Sequence, residues 1–241
     1  MATAIDTPRG KVMFFEDFLY DVATDKPEYS VGTDPAVEIV ATGENGVVRV
    51  TMEAGQSNID GMSFGQTQWY VDEGTLIYEA RVKLSAIGTA SERLFVGFTD
   101  RQEDTLTEMP FTGATTVLTP VTNPTDCIGF FWEGDMTNPV WTPASQNTDA
   151  LVVDGTLMTA TAQNVAQPVA GTYQTLRIEI GPGGFVATFY VDGQEVYRHE
   201  NTATPVVAAA TALTPYFVVT EGTTAINFDV DYIYVEGARA A

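Results

Sequence analysis

Residues 172–180 (TYQTLRIEI), 185–191 (FVATFYV), 194–200 (QEVYRHE) and 226–236 (INFDVDYIYVE) alternate apolar and polar side chains. A half-buried strand requires that pattern, because successive side chains point to opposite faces of a sheet. Asp192-Gly193 separates the second segment from the third. Both central residues of a type I′ turn have positive φ, so this pair predicts a tight hairpin. Phe189, Val191, Phe228 and Val230 fall on the apolar faces and are expected to point inward.

The same reading extends upstream. Residues 12–20, 36–42, 46–53, 67–71, 75–84, 93–99 and 127–133 are rich in Val, Thr, Phe and Tyr, with Gly or Pro in nearly every gap. Asn45-Gly46 predicts one more hairpin, and Asp154-Gly155 another between 148–153 and 156–161. The run 206–213 (VVAAATAL), between Pro205 and Pro215, is read as a strand, with a short helix as the alternative. No long segment carries helical periodicity. Short strands at this spacing predict an all-β chain. The organisation read from the sequence is an N-terminal arm over 1–11, a single sandwich domain over 12–236, and a flexible tail over 237–241. Two Thr- and Pro-rich stretches, 100–125 and 134–171, are read as long loops.

The closing order is a strand with Tyr173 and Arg177, a hairpin closed by Val191-Asp192-Gly193, then Asp231-Tyr232-Ile233-Tyr234-Val235. It resembles the closing half of the concanavalin A-like lectin/glucanase superfamily, which includes laminarinases and laminin-G-like modules. Phe14, Asp17 and Phe18 add an opening pattern similar to that of the same sandwiches. The resemblance implies a two-sheet antiparallel jelly-roll sandwich. Its motifs are common to the whole superfamily and imply no particular ligand, since function sits in sites grafted onto a fold.

Bulk properties narrow the function classes. The 241 residues carry 32 acidic and 11 basic side chains, a formal charge of −21. Such a surface repels nucleic-acid phosphates and anionic membranes, so neither is an expected partner. The N-terminus shows no basic start followed by an apolar run, and no stretch reaches the ~20 apolar residues of a membrane helix. The chain is read as made in a cytoplasm, with secretion as the alternative. One Cys, Cys127, leaves no internal disulfide, and one His with one Cys leaves no structural zinc set.

His199 stands alone with no nucleophile motif near it and is read as a half-exposed strand residue. Neither phosphate-cradling glycine motif occurs. Retaining glucanases of the resembled superfamily carry E-x-D-x-x-E on one strand, with two carboxylates about 5 Å apart as nucleophile and acid/base. Here Glu133 and Asp135 match the first two positions, and Asn138 replaces the third. An amide cannot donate and recover a proton at neutral pH, so hydrolysis is not expected. Sugar binding without hydrolysis would use Glu133 and Asp135 with Trp132 and Trp141 as stacking faces, Trp69 being a weaker candidate. Asn227, Asp229 and Asp231 alternate on one face, but calcium wants about six to eight oxygens from wrapping loops, so they are read as a solvated outer face. No metal and no cofactor is expected.

The first functional expectation is a non-enzymatic structural protein of a phage particle, such as a capsid decoration or head-tail accessory protein. Virion proteins such as a major capsid protein would be its partners, engaged through the arm and the two long loops, and homo-oligomers fit the same reading. It rests on the acidic surface and on the incomplete catalytic set. The alternatives are a lectin-like carbohydrate-binding module and, less favoured, a glycoside hydrolase.

Overall fold

A computed structural model describes residues 5–6, 11–19, 30–31, 37–40, 46–52, 59–64, 69–72, 74–87, 91–101, 109–114, 117–137, 139–153, 166–220 and 222–238. The tip Glu44-Asn45, the turn Asp154-Gly155 with 156–161, Asn138, and residues 239–241 lie outside these, as does most of the arm.

In chain order the strands are β1 (Ile5–Asp6), β2 (Lys11–Glu16), β3 (Ser30–Val31), β4 (Val37–Ile39), β5 (Val48–Met52), β6 (Ile59–Ser63), β7 (Leu76–Leu84), β8 (Arg93–Thr99) and β9 (Phe111–Ala114). They continue as β10 (Val117–Pro120), β11 (Cys127–Glu133), β12 (Thr142–Asn147), β13 (Ala150–Val153), β14 (Gln174–Ile180), β15 (Val186–Val191), β16 (Gln194–Glu200), β17 (Thr214–Thr220) and β18 (Ile226–Ala238). A nine-stranded sheet runs β1-β2-β18-β7-β14-β15-β16, with β4 and β5 paired along the first half of β18. A seven-stranded sheet runs β13-β12-β11-β8-β17-β6-β3. Every pairing among the described residues is antiparallel. The fold is an all-β, two-sheet jelly-roll sandwich.

The deciding stretch folds as its alternation requires. Asp192 and Gly193 sit at φ 50° and 77°, joining β15 to β16. The turn is tied to β14, because Asp192 Oδ1 accepts the Thr175 amide at 2.8 Å. Phe189, Val191, Phe228 and Val230 are all buried. Rings interlock across the sandwich: Phe130 with Phe189 at 5.5 Å, Phe98 with Tyr78 at 5.3 Å, Phe217 with Phe228 at 6.0 Å, and Phe64 with Phe14 at 5.3 Å. Edge-to-face pairs of this kind add to the apolar burial that holds two sheets together.

Several expectations are corrected. The run 206–213 is not a strand apart from a single bridge at Leu213, and the strand follows it as β17. Pro215, expected to flank a strand, is the second residue of β17. Of the segment 67–71, the described part 69–71 forms only one bridge, from Trp69 to Leu213. The stretch 100–125 contains β9 and β10, and 134–171 contains β12 and β13. The 148–153 segment does form a hairpin, but with the strand before it. Its turn is Thr148-Asp149, at φ 50° and 63°. The arm contributes β1, which pairs with β2, and β18 runs on through Gly237 and Ala238 into the expected tail.

His199 is buried, not half-exposed. A register shift between Phe189 and Tyr190 turns β16 so that Val196, Tyr197 and His199 are covered.

Candidate functional site

β11 (CIGFFWE) is buried along its whole length, so both of its faces are covered. One face is the sandwich core, where Ile128, Phe130 and Trp132 lie. On the other face are Cys127, Gly129, Phe131 and Glu133. In register beside them stand Arg93, Phe95, Gly97 and Thr99 of β8, and Tyr216 and Val218 of β17. This outer face is the surface on which a ligand would lie.

The β9–β10 hairpin occupies it. Phe111 sits between Phe95 at 5.7 Å and Phe131 at 6.2 Å. Met109, Phe111 and Leu118, together with Met136, form a second apolar cluster with Phe95, Cys127, Phe131, Ala144, Tyr216 and Val218. The sequence makes room for the Phe95 ring on which Phe111 packs. Gly97 and Gly129 face each other across β8 and β11. A Cβ at Gly129 would lie 2.5 Å from the Phe95 ring, so the ring lies where a side chain would otherwise stand.

Glu133 closes one end of this face. Its side chain is fully buried and paired with Arg93, its register neighbour. A Cβ at Gly113 of β9 would fall 1.8 Å from Glu133 Oε2, so the hairpin backbone lies directly against the carboxylate. Burial pushes the Glu133 carboxyl above its ordinary value, and Arg93 offsets only part of that. At the other end, Gln146 Nε2 donates to the carbonyl oxygens of Val121 and Pro124, pinning the chain that leaves the hairpin.

The sequence-derived site residues do not converge. Trp132 points into the core between the sheets, on the face opposite Glu133. Trp141 is buried in that same core and donates its indole N–H to Gln174 at 3.0 Å. Trp69 is also in the core, packed where a side chain at Gly237 would stand. None of the three presents a stacking face. Asp135 is exposed in the turn after β11, while Glu133 is sealed. The physical reason is alternation: in the run Phe131-Trp132-Glu133 the Trp takes the core side, so it cannot share a cleft with the acid.

Asp229 and Asp231 do lie on the outer face of the nine-stranded sheet, but they are buried beneath cations and not solvated. Asp229 accepts Arg49 Nε and Nη2 at 2.7 and 2.9 Å and pairs with Lys83 at 2.9 Å; Asp231 pairs with Arg81. Burial pushes the Asp229 carboxyl up, and the two cations outweigh it, holding it below its ordinary value. Among the described residues no group of three or more His, Cys, Asp or Glu is placed to hold a metal.

Arg93, Gly113, Phe111 and Gln146 shape this face, and sequence reading passed over all of them. One signal was present for Arg93 and Glu133, opposite charges at the ends of two apolar strands. The apolar pair Phe111 and Leu118 inside a Thr/Pro-rich stretch was the other.

No family model and no curated protein matches the chain. Solved structures do. Peanut lectin superposes with a TM-score of 0.57 at 10% identity, over 96% of this chain and 99% of its own. A β-glucanase of Bacillus licheniformis gives 0.54 at 13%, over 95% and 98%. A protein of unknown function from Shewanella oneidensis MR-1 gives 0.55 at 16%, over 100% and 93%. The chain therefore has the fold of the concanavalin A-like lectins and glucanases.

Proposed function

We propose that this chain is a non-enzymatic structural protein of a phage particle, of the capsid decoration or head-tail accessory kind, bound to virion proteins such as a major capsid protein. The observation that supports this reading is the occupied outer face of the seven-stranded sheet. A sugar chain lying there would have to displace Phe111 and Leu118 from a packed cluster and expose a buried carboxylate. Each apolar side chain returned to water costs about 1.5–3 kcal/mol, before any glycan contact is made. The three tryptophans, committed to the core, give a ligand nothing flat to stack on. What the molecule offers a partner is instead surface, and surface suits adhesion to a protein lattice.

Two measurements test the reading together. Mass spectrometry of purified virions from the source should detect the chain at a fixed stoichiometry to the capsid protein. A glycan array and a β-glucan hydrolysis assay with the purified protein should both be blank. A chain missing from the particle, or a reproducible glycan hit lost on substitution at the hairpin, would overturn the proposal.

A further inference from the structure

The outer face of the nine-stranded sheet is organised differently from the rest of the molecule. Lys11, Arg49, Arg81, Lys83, Arg177 and Arg198 all lie on it, six of the chain's eleven basic residues. Each is paired with a carboxylate on the same face: Glu236, Asp229, Asp231, Asp229, Glu79 and Glu200 respectively. Charge on this face is close to balanced. The remaining five basic residues stand against most of the 32 acidic ones. A second highly acidic molecule is therefore repelled by the other surfaces and least by this one.

Aromatic residues lie among the charges. Phe15 is 47% exposed and tilts against Tyr232 at 5.8 Å between ring centres. The register places Phe15, Tyr234, Glu79, Arg177 and Tyr190 in one row across β2, β18, β7, β14 and β15. Arg177 Nη1 already reaches Glu79 Oε2 at 3.1 Å within the chain. Tyr and Arg are among the side chains most enriched at the energetic centre of protein interfaces.

The row reads Tyr-Glu-Arg-Tyr, and that order is complementary to itself. A two-fold axis running along the strands between β7 and β14 brings Glu79 over Arg177 of a second copy, and Arg177 over its Glu79. The same rotation sets Tyr234 over Tyr190 on both sides. The result is an alternating square of two carboxylates and two guanidinium groups between tyrosine pairs. We infer that this face is the contact surface of a homodimer, packed sheet to sheet about that axis. The inference does not depend on the virion reading.

Sedimentation equilibrium tests it. The wild-type chain should be a dimer at about 100 µM and at moderate salt, within the range open to an interface of ordinary size. Glu79→Arg and Arg177→Glu should each weaken association by ~100-fold or more, since each sets like charges face to face. Mixing the two variants should restore dimers. In the mixed pair the introduced arginine meets the introduced glutamate at one contact, and the native Arg177 meets the native Glu79 at the other. The repulsion inside each variant chain is untouched by mixing, so rescue reports the intermolecular pairs alone. Tyr190→Ala and Tyr234→Ala, which leave the charges alone, should also weaken the dimer and carry the test if a charge variant fails to fold. A monomeric wild type, dimers unaffected by these substitutions, or folded single variants that dissociate and do not recover on mixing would overturn the inference.

Discussion

Glu133 shows how a single side chain can look catalytic and be structural. Its carboxylate is shut between Arg93 and the backbone of Gly113, and desolvation raises its affinity for a proton. The linkage has a definite sign. Its folded pKa lies above the ordinary 4.5, so the native state binds more protons between 4.5 and the folded value. Stability then falls as pH rises through that window, and the penalty stands in full above it. Glu133→Gln should remove this slope without lowering the melting temperature near neutral pH. Melts from about pH 4 to 8 check it, and a large loss near neutrality would show that the Arg93 pair outweighs the burial. Asp229 has the opposite sign. Its folded pKa lies below the ordinary 3.8, so its contribution is present above that value and lost as pH falls through the folded pKa. Asp229→Ala leaves Arg49 and Lys83 without their shared carboxylate and should cost about 2–4 kcal/mol near neutral pH by urea unfolding.

At the scale of elements, the β9–β10 hairpin decides what the seven-stranded sheet can do. It pairs only with itself among the described strands, and side-chain packing of Phe111 against Phe95 and Phe131 seats it on the sheet. Phe111→Ala empties the middle of that packing and should cost about 3–5 kcal/mol, the range for a fully buried ring. A loss below about 1 kcal/mol in a denaturant melt would mean that the hairpin is not fixed to the sheet. Gly113→Ala attacks the same seat from above. Its Cβ would stand 1.8 Å from Glu133 Oε2, so the strand or the carboxylate must move. About 1–3 kcal/mol should be lost, as in other overpacked sites. Binding of a hydrophobic dye should rise with it, as Phe95 and Phe131 become accessible.

For the molecule as a whole, stability is divided between two apolar clusters, one between the sheets and one under the hairpin. Phe189 belongs to the first, where it meets both Phe130 and Tyr197. Phe189→Ala should therefore cost about 3–5 kcal/mol, and it should do so whether or not the hairpin is seated. The two losses should add when Phe189→Ala and Phe111→Ala are combined, since the ring contacts of Phe111 and of Phe189 share no partner. A combined loss well short of the sum would show that the two layers unfold as one packing unit. Surface charge is divided just as unevenly, with a balanced face on one sheet in a chain of −21.

What the sequence determined by itself was local. Alternation marked strands at 172–180, 185–191, 194–200 and 226–236, positive φ at Asp192-Gly193 set the hairpin, and period two chose the inward side of β18 as far as Val230, beyond which a register shift gives that side to Ile233 and Val235. These follow from neighbours in the chain, whose geometry the backbone dictates. The tertiary structure decided everything that depended on distant partners. It turned Trp132, Trp141 and Trp69 into the core and placed β17 after the run read as a strand. It buried His199 through a bulge in the neighbouring strand pair. Above all it folded 109–114 and 117–121, within a stretch that reads as a polar loop, back over the face where Glu133 lies. Two apolar residues in a Thr- and Pro-rich segment leave only a weak trace in one dimension. They become a plug only when Phe95 of β8 and Phe131 of β11 lie beneath them, and those rings stand side by side only once the two strands have paired.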